Sequence, residues 1–248
     1  MRPTLVLLHG FTQTRQSWRR TATALAARYR VLVPDLPGHG QAVHRTASFP
    51  ACAAYVRALA PTRTLELAGY SMGGRVALAT ALTLGPEVVT RLVLVGASPG
   101  IADPAEREAR RRADEALADR IETLPIEEFA REWGSQPLFA GQPPRVAAAA
   151  HADRLRNTPA GLAAALRGLG TGVMEPLWER LGEIAIPVAL VVGERDAKFR
   201  AIAEAMLERL PNATLTVIPG AGHAAHLEDP AAVAAAIHQS RSSSSASA

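Results

Sequence analysis

The feature that most constrains this chain is the segment 69–73, with the sequence Gly-Tyr-Ser-Met-Gly. The mostly apolar residues 64–68 before it predict a short strand, and the small apolar residues 76–82 after it predict a helix. Gly-x-Ser-x-Gly between a strand and a helix is typical of a nucleophile elbow, a sharp turn that exposes the serine at the sheet edge. Both glycines lie where the backbone leaves no room for a side chain. Ser71 is therefore the candidate nucleophile.

Short apolar runs alternate with helical segments along most of the chain. The runs that predict strands buried on both faces lie at 4–8, 31–33, 91–96, 187–192 and 214–218. Helices are predicted at 17–28, 51–59, 200–210 and 230–238. Such alternation predicts an α/β fold with a parallel sheet covered by helices.

The length and composition favour one large domain with an insertion. The 248 residues are 48% hydrophobic, which is enough for a sizeable core. No strand is predicted between residues 101 and 179, where Ala-, Arg- and Glu-rich helical segments dominate. We therefore predict a core at 1–100 and 180–239, a helical cap at 101–179, and a disordered Ser- and Ala-rich tail at 240–248.

Several classes of protein are disfavoured by composition. The single cysteine, Cys52, excludes a disulfide framework, and no apolar run is long enough to cross a membrane. The net charge is +4, but the basic residues are scattered and not massed with aromatic residues. We therefore predict a cytoplasmic protein with neither a nucleic-acid partner nor a membrane partner.

A serine nucleophile needs a base, and the base needs an orienting acid. Asp196 and His223 each follow an apolar run, in the chain order serine, acid, histidine. Glu194 is the rival acid, but it lies nearer the strand end, and His226 is the rival base, three residues after His223. Because strand ends of a parallel sheet share one edge, Ser71, Asp196 and His223 are predicted to form a catalytic triad.

The first strand ends in His9-Gly10-Phe11, which resembles the oxyanion loop of the α/β-hydrolases. The resemblance implies that the backbone N–H groups of Phe11 and Met72 stabilise a developing negative charge. His39 belongs to the Asp-Leu-Pro-Gly-His-Gly stretch at 35–40, which is also frequent in that superfamily, and is interpreted as a structural loop histidine.

Within this superfamily the chain resembles the 2-succinyl-6-hydroxy-2,4-cyclohexadiene-1-carboxylate (SHCHC) synthases of menaquinone biosynthesis. The motifs that carry the resemblance lie at 8–12, 35–40, 69–75, 99–101, 133–139, 193–199 and 222–228. The most specific is Gly-Glu-Arg-Asp-Ala-Lys-Phe at 193–199. The family implies an α/β-hydrolase fold with a helical cap. Since the chain enters its first strand at Thr4, the sheet is expected to have a shortened amino-terminal edge.

The resemblance implies a lyase without a cofactor or metal. It would eliminate pyruvate from a succinyl-, enolpyruvyl-substituted cyclohexene carboxylate to give SHCHC, using the triad for proton abstraction. Such a substrate is a small polycarboxylate, and the planar guanidinium of arginine suits carboxylates. Arg75, Arg110 and Arg154 match the family's arginines, with Arg156 as the alternative to Arg154.

Three aromatic residues, Tyr70, Trp133 and Phe139, are predicted to line the pocket, although they could equally be core residues. Lys198 is the only lysine of the chain and lies in the most specific motif, but its role stays open. The alternative function is hydrolysis of an ester or of a carbon–carbon bond, since the same triad serves both. A binding protein that has lost catalysis is disfavoured by the intact triad.

Overall fold

The strands of the computed structural model, which describes residues 2–61 and 63–242, form a six-stranded sheet. They are β1 Thr4–Leu8, β2 Arg30–Leu32, β3 Leu65–Tyr70, β4 Val89–Val95, β5 Val188–Gly193 and β6 Ala213–Ile218. The order across the sheet is β2-β1-β3-β4-β5-β6, and every neighbouring pair is parallel. The sequence predicted all six strands to within about two residues.

Helices cover the sheet and fill the segment between β4 and β5. They are α1 Arg19–Leu25, α2 Phe49–Ala58, α3 Met72–Leu84, α4 Pro104–Thr123, α5 Ile126–Gly134, α6 Pro144–Arg154, α7 Pro159–Leu169, α8 Ala197–Leu207, α9 Ala225–Glu228 and α10 Pro230–Ser242. Short 3₁₀ turns occupy Arg15–Trp18, Gly40–Ala42, Pro137–Phe139 and Trp178–Glu183.

Several predicted helix limits need correction. The helix predicted at 200–210 is α8 at Ala197–Leu207, because the Asp196 side chain caps it by accepting the Phe199 N–H. The predicted helix at 17–28 begins as the 3₁₀ turn Arg15–Trp18, because the Thr14 side chain caps Gln16, and α1 already ends at Leu25. The predicted disordered tail at 240–248 starts too early, since α10 continues to Ser242. Serine is only a slightly poorer helix former than most residues, so a short extension costs little. Residues 243–248 lie outside the described residues.

The alternation of side chains along the strands divides the core between the two faces of the sheet. Leu5 and Leu7 of β1 pack with residues of α1 and α10, whereas Val6 and Leu8 pack with residues of α2, α3 and α8. All four side chains are fully buried. Both faces are therefore covered, as the continuous apolar runs predicted.

The strand order reverses beside β1, which has β2 on one side and β3 on the other. In open parallel sheets, the loops that leave the strands at such a point separate and create a crevice for ligands. The loop after β1 carries His9, Gly10 and Phe11, and the turn after β3 carries Ser71. The topology thus brings the two predicted halves of the site to one place.

The helices α4 to α7 lie where the sequence predicts the cap, and the described residues between β4 and β5 contain no strand. A small apolar cluster that includes Ile121, Phe129 and Leu162 joins α4, α5 and α7. The Asp153 carboxylate accepts the Thr14 backbone N–H at 2.9 Å and thereby ties α6 to the loop after β1. The domain limits at 101 and 179 stay a prediction. No described helix is long and apolar enough to cross a membrane.

The elbow generates the first testable prediction. A Cβ at Gly73 would overlap the carbonyl oxygens of Leu8 and His9, so Gly73→Ala forces α3 away from β1. We expect a loss of about 3 kcal/mol or more in the free energy of unfolding, measured by urea denaturation. Gly182→Ala is the matched control, because a Cβ there meets no atom within 4 Å. A loss for Gly73→Ala no larger than for Gly182→Ala would contradict the predicted close approach.

Candidate active site

Ser71 occupies a strained turn between β3 and α3. Its φ of 50° and ψ of −111° lie in a region that non-glycine residues rarely adopt. The strain is held by hydrogen bonds on both sides, from the Ser71 N–H to the Val95 carbonyl at 2.9 Å and from the Arg75 N–H to the Ser71 carbonyl at 3.0 Å. A Cβ at Gly69 would overlap the backbone of Gly73, so the turn requires glycine there. The sequence motif therefore has the predicted backbone form.

The structure brings Ser71, His223 and Asp196 into one hydrogen-bonded group. His223 Nε2 lies 3.2 Å from Ser71 Oγ, and His223 Nδ1 lies 2.6 Å from Asp196 Oδ2. His223 and Asp196 are buried, and the other Asp196 oxygen accepts the Phe199 N–H at the start of α8. The carboxylate is thus fixed by a helix cap while it orients the imidazole. This geometry suits a triad in which Asp196 orients His223, and His223 takes the proton of Ser71.

The two rival residues have other partners. Glu194 is exposed, and its carboxylate accepts the Gly220 N–H at 2.8 Å. His226 is buried, with Nε2 3.2 Å from Gln13 Oε1. Its ring lies against that of Tyr70, at 4.1 Å between centroids, and burial lowers its pKa well below the usual value. Neither rival takes part in the bonds between Ser71 and its base.

A cavity of about 310 Å³ opens above Ser71, between the sheet edge and the cap. Its wall includes Phe11 and Met72, whose backbone N–H groups are the predicted oxyanion donors. Met72 is the first residue of α3, where N–H groups have no partner within the helix and favour negative charge. Trp133 of α5 also lines the cavity, 5.1 Å from the Phe11 ring. The predicted pocket role of Trp133 therefore agrees with its position.

Three cationic side chains, Arg75, Arg110 and Lys198, line this cavity. Arg75 is 8% exposed, and its Nη1 has no hydrogen-bond partner among the described residues. Burial and, to a smaller extent, the positive charge of Arg110 lower the Arg75 pKa to about 10, although Asp114 opposes them. The Arg110 Nε donates a hydrogen bond of 2.7 Å to Asp114 Oδ1. The cavity therefore presents positive charge beside the serine.

Three residues predicted to line the pocket, Tyr70, Phe139 and Arg154, are not on the wall of this cavity. Tyr70 belongs to the buried cluster on the α1 and α10 face, because the two-residue repeat of β3 turns it the same way as Ala68. Arg154 is 5% exposed, and its guanidinium carbon lies 5.2 Å from the Phe139 ring centroid. Their predicted contact with substrate stays a prediction.

The choice between Arg154 and Arg156 also depends on burial. Arg156 is exposed and lies 3.8 Å from Asp153, whereas the Arg154 side chain is buried and its Nε has no described partner. Burial lowers the Arg154 pKa, although Tyr70 and Asp153 oppose the shift. Of the two, Arg154 is the one directed into the protein.

Sequence reasoning missed several polar residues on the cavity wall. Ser98, Gln136 and Thr171 line the cavity together with the apolar side chains of α7. Ser98 could have been found, because it follows β4 at the same edge of the sheet as Ser71. Gln136 could have been found too, because it lies within the motif at 133–139, whereas Thr171 lies outside the strands, the helices and the motifs.

Two further histidines, His9 of the predicted oxyanion loop and His39, are buried next to each other. His9 Nε2 accepts the Leu36 N–H at 2.9 Å, and its Nδ1 lies 2.9 Å from the Gly10 carbonyl. His39 Nε2 accepts the Thr12 N–H at 3.3 Å. Burial lowers the pKa of His9 to about 4 and that of His39 to about 3. Both therefore act as neutral hydrogen-bonding residues, consistent with the structural interpretation of His39.

This fold and site define a class of enzyme. The sequence model that describes the alpha/beta hydrolase family matches residues 5–236 of this chain, and the chain belongs to that family. It is similar to 2-succinyl-6-hydroxy-2,4-cyclohexadiene-1-carboxylate synthases. It is 37% identical to the one from Klebsiella pneumoniae, over 96% of this chain and 93% of that protein. It is 34% identical to the one from Serratia proteamaculans, over 94% of this chain and 91% of that protein.

Solved structures agree with these relatives. MenH from S. aureus superimposes with a TM-score of 0.91 and 34% identity, covering 97% of this chain and 94% of that one. A thermophilic esterase from Thermogutta terrifontis, solved with malate bound, gives a TM-score of 0.81 and 30% identity. The match covers 96% of this chain and 90% of the esterase chain. The fold is thus shared by enzymes with different names.

The buried histidines generate a prediction on stability. Because His9 stays neutral in the fold down to about pH 4 but takes up a proton near pH 6.5 when unfolded, the unfolded state binds more protons between these values. The stability present above pH 6.5 is therefore lost as the pH falls, by about 3 kcal/mol from His9 alone. Urea unfolding between pH 7.5 and 4.5 measures this loss, and NMR titration should find His9 neutral at pH 5. A flat stability profile would contradict it.

Proposed function

We propose that this chain is a carbon–oxygen lyase that eliminates pyruvate from a succinyl-, enolpyruvyl-substituted cyclohexene carboxylate and so forms SHCHC. The names of its relatives support this proposal, since those proteins are named for that product. The single observation that carries it is the buried Arg75 guanidinium on the cavity wall, four residues after Ser71. A substrate with three carboxylates needs such a group, whereas a neutral ester does not.

The electrostatic argument begins with the cost of burying Arg75. A buried cation without a partner is unfavourable, and no acidic side chain of the described residues forms an ion pair with Arg75. Asp114 is near, but it is bonded to Arg110 and to the Gly172 N–H. A substrate carboxylate would supply the missing partner. The charge of Arg75 would offset the hydration free energy that the carboxylate loses on binding, which an uncharged pocket does not do. Arg110 and Lys198 are available for further carboxylates of the same molecule.

The proposed reaction uses the triad for proton transfer. Asp196 holds the Nδ1–H of His223, so that Nε2 can take the proton of Ser71 Oγ. Ser71 then removes the proton from the ring carbon next to the succinyl carbonyl. The negative charge moves to the carbonyl oxygen, where the N–H groups of Phe11 and Met72 would stabilise it. As the ring double bonds rearrange, the carbon–oxygen bond to the enolpyruvyl group breaks and an enolate leaves. The enolate takes up, at its CH2 carbon, the proton that His223 received from Ser71 and becomes pyruvate.

No acyl-enzyme is needed in this reaction, because Ser71 acts as a base and not as a nucleophile. Of the remaining predicted residues, Trp133 would pack against the substrate ring and Arg154 would be a further carboxylate partner. Tyr70 and Phe139 would then support His223 and Arg154 from behind. The partner proposed for this chain is accordingly a small polycarboxylate.

Hydrolysis of an ester or of a carbon–carbon bond is the second candidate function. It is favoured by the same triad and by the similarity to the Thermogutta esterase. In a hydrolase, Ser71 would attack a carbonyl carbon and water would release the product. The cationic wall then has no role when the substrate is neutral, which gives a way to separate the two functions.

Arg75 carries the prediction that separates them. Removing one partner of a buried carboxylate–arginine pair should weaken transition-state binding by roughly 2–5 kcal/mol. We expect Arg75→Ala to lower kcat/KM for pyruvate release from the tricarboxylate by about thirtyfold or more. Hydrolysis of a small neutral ester such as p-nitrophenyl acetate, if measurable, should change by less than about threefold.

Arg112→Ala is the matched control, because Arg112 lies on the cap helix α4 with 68% of its side chain exposed. It should leave both reactions unchanged. Equal losses for Arg75→Ala on both substrates would mean that Arg75 supports the elbow and does not bind a carboxylate. No loss on either substrate would remove the main support for the lyase and favour the hydrolase.

A further inference from the structure

Two residues beside the triad, Arg195 and Glu228, connect the loops that carry its acid and its base. Arg195 directly precedes Asp196, and its Nη2 donates to Glu228 Oε2 at 2.7 Å. The same carboxylate oxygen accepts the N–H of Gly222 at 3.0 Å, and Gly222 directly precedes His223. One carboxylate oxygen therefore joins the neighbour of the acid to the neighbour of the base.

Burial makes this connection firm. The Glu228 side chain is 4% exposed, and its Oε1 has no partner among the described residues, so Arg195 supplies the charge that keeps the carboxylate in place. Arg195 is 39% exposed, which leaves its guanidinium partly hydrated. Loss of Arg195 would leave a buried negative charge, whereas loss of the Glu228 charge would leave a cation that water can reach.

The backbones of the two loops are also in direct contact. The Arg195 N–H donates to the Ala221 carbonyl at 2.9 Å, and the Arg195 Nε donates to the Gly220 carbonyl at 2.9 Å. A Cβ at Gly193 would overlap the Gly222 carbonyl, so the loops leave no space between them. A shift of either loop therefore changes the distance between Asp196 and His223.

Arg195 makes one more bond, to the segment between β4 and β5. Its Nη1 donates to the Gly141 carbonyl at 3.2 Å. Gly141 has a φ of +73°, a conformation that favours glycine, and a Cβ there would meet the end of this guanidinium and displace it. Gly141 lies in the connection between the Pro137–Phe139 turn and α6. One guanidinium thus contacts both triad loops and the helical segment beside the cavity.

We propose that Arg195 and Glu228 are positioning residues, which hold Asp196 and His223 at bonding distance, and that Arg195 also fastens the Gly141 segment beside the cavity. The use of pyruvate release as one readout rests on the proposed function. The proposed positioning of Asp196 and His223 does not rest on that function, because a reactive Ser71 needs the same geometry for elimination and for hydrolysis.

The direct test is the rate at which a fluorophosphonate probe modifies Ser71, which reports activation of the serine without any natural substrate. A misplacement of about 1 Å in a catalytic group can cost a hundredfold. We expect Arg195→Ala and Glu228→Ala to slow modification by about tenfold to a hundredfold. Glu228→Gln, which keeps an amide oxygen for Gly222, should slow it by less. Arg200→Ala removes an exposed ion pair with Glu204 on the nearby α8 and should change nothing.

The kinetic constants separate the two roles. Glu228 has no bond to Gly141, so Glu228→Gln should lower kcat for pyruvate release and leave KM unchanged. Arg195→Ala should lower kcat and also raise KM, because the Gly141 segment is released. Arg195→Lys keeps the charge beside Glu228 but not the planar fork, so it should restore part of kcat and little of KM.

The outcomes distinguish this proposal from the proposed function. Slower modification of Ser71 in folded variants supports the positioning role even if the wild type releases no pyruvate. Wild-type modification rates in folded Arg195→Ala and Glu228→Gln overturn it, whatever the substrate. Circular dichroism shows whether the alanine variants fold. If they do not, Glu228→Gln alone tests the proposal, through the rate of Ser71 modification and through the low-field NMR signal of the His223 Nδ1 proton. That signal should be weakened or lost, and an unchanged signal with an unchanged rate contradicts the proposal.

Discussion

The structure depends on the close approach of α3 to β1 at the elbow. Gly73 touches the backbone of Leu8 and His9, and only a residue without a Cβ allows that contact. The approach sets the start of α3, which carries Met72 and Arg75, beside the loop that carries Phe11. It also holds Ser71 at its strained φ, since the turn cannot relax without moving the helix. One packing contact therefore fixes the serine, both predicted oxyanion donors and Arg75.

A second constraint is electrostatic. The cavity wall combines Ser71 and His223 of the predicted triad with three cations, of which Arg75 is buried and Arg110 is 44% exposed in its side chain. Arg75 is almost fully desolvated and is therefore the cation whose charge acts most strongly on a ligand. The neutral His9 and His39 beneath the oxyanion loop add hydrogen bonds without adding charge. The positive potential is thus concentrated where a carboxylate would lie.

The sequence predicted the strands, the elbow and the grouping of Ser71, His223 and Asp196 because these depend on local patterns and on a fixed topology. Gly69 and Gly73 are required by backbone contact, and strand ends must share one edge of a parallel sheet. It did not predict that Tyr70 packs in the buried cluster with Ala68, because the pocket position came from the family resemblance and the predicted strand ended at residue 68. Nor did it predict the positions of Arg154 and Phe139, or that Arg195 binds Glu228. Those depend on how cap helices and loops pack, which no periodicity records.

The proposed role of Ser71 as the base of an elimination is tested by the products of the reaction. The purified protein is mixed with the succinyl-, enolpyruvyl-substituted cyclohexene carboxylate, and pyruvate and succinate are measured in the same reaction. A lyase releases one pyruvate for each cyclohexadiene formed and no succinate, and Ser71→Ala should slow this at least about a hundredfold. Release of succinate without pyruvate would identify cleavage of a carbon–carbon bond instead. Pyruvate release at the wild-type rate by Ser71→Ala would contradict the role of the serine.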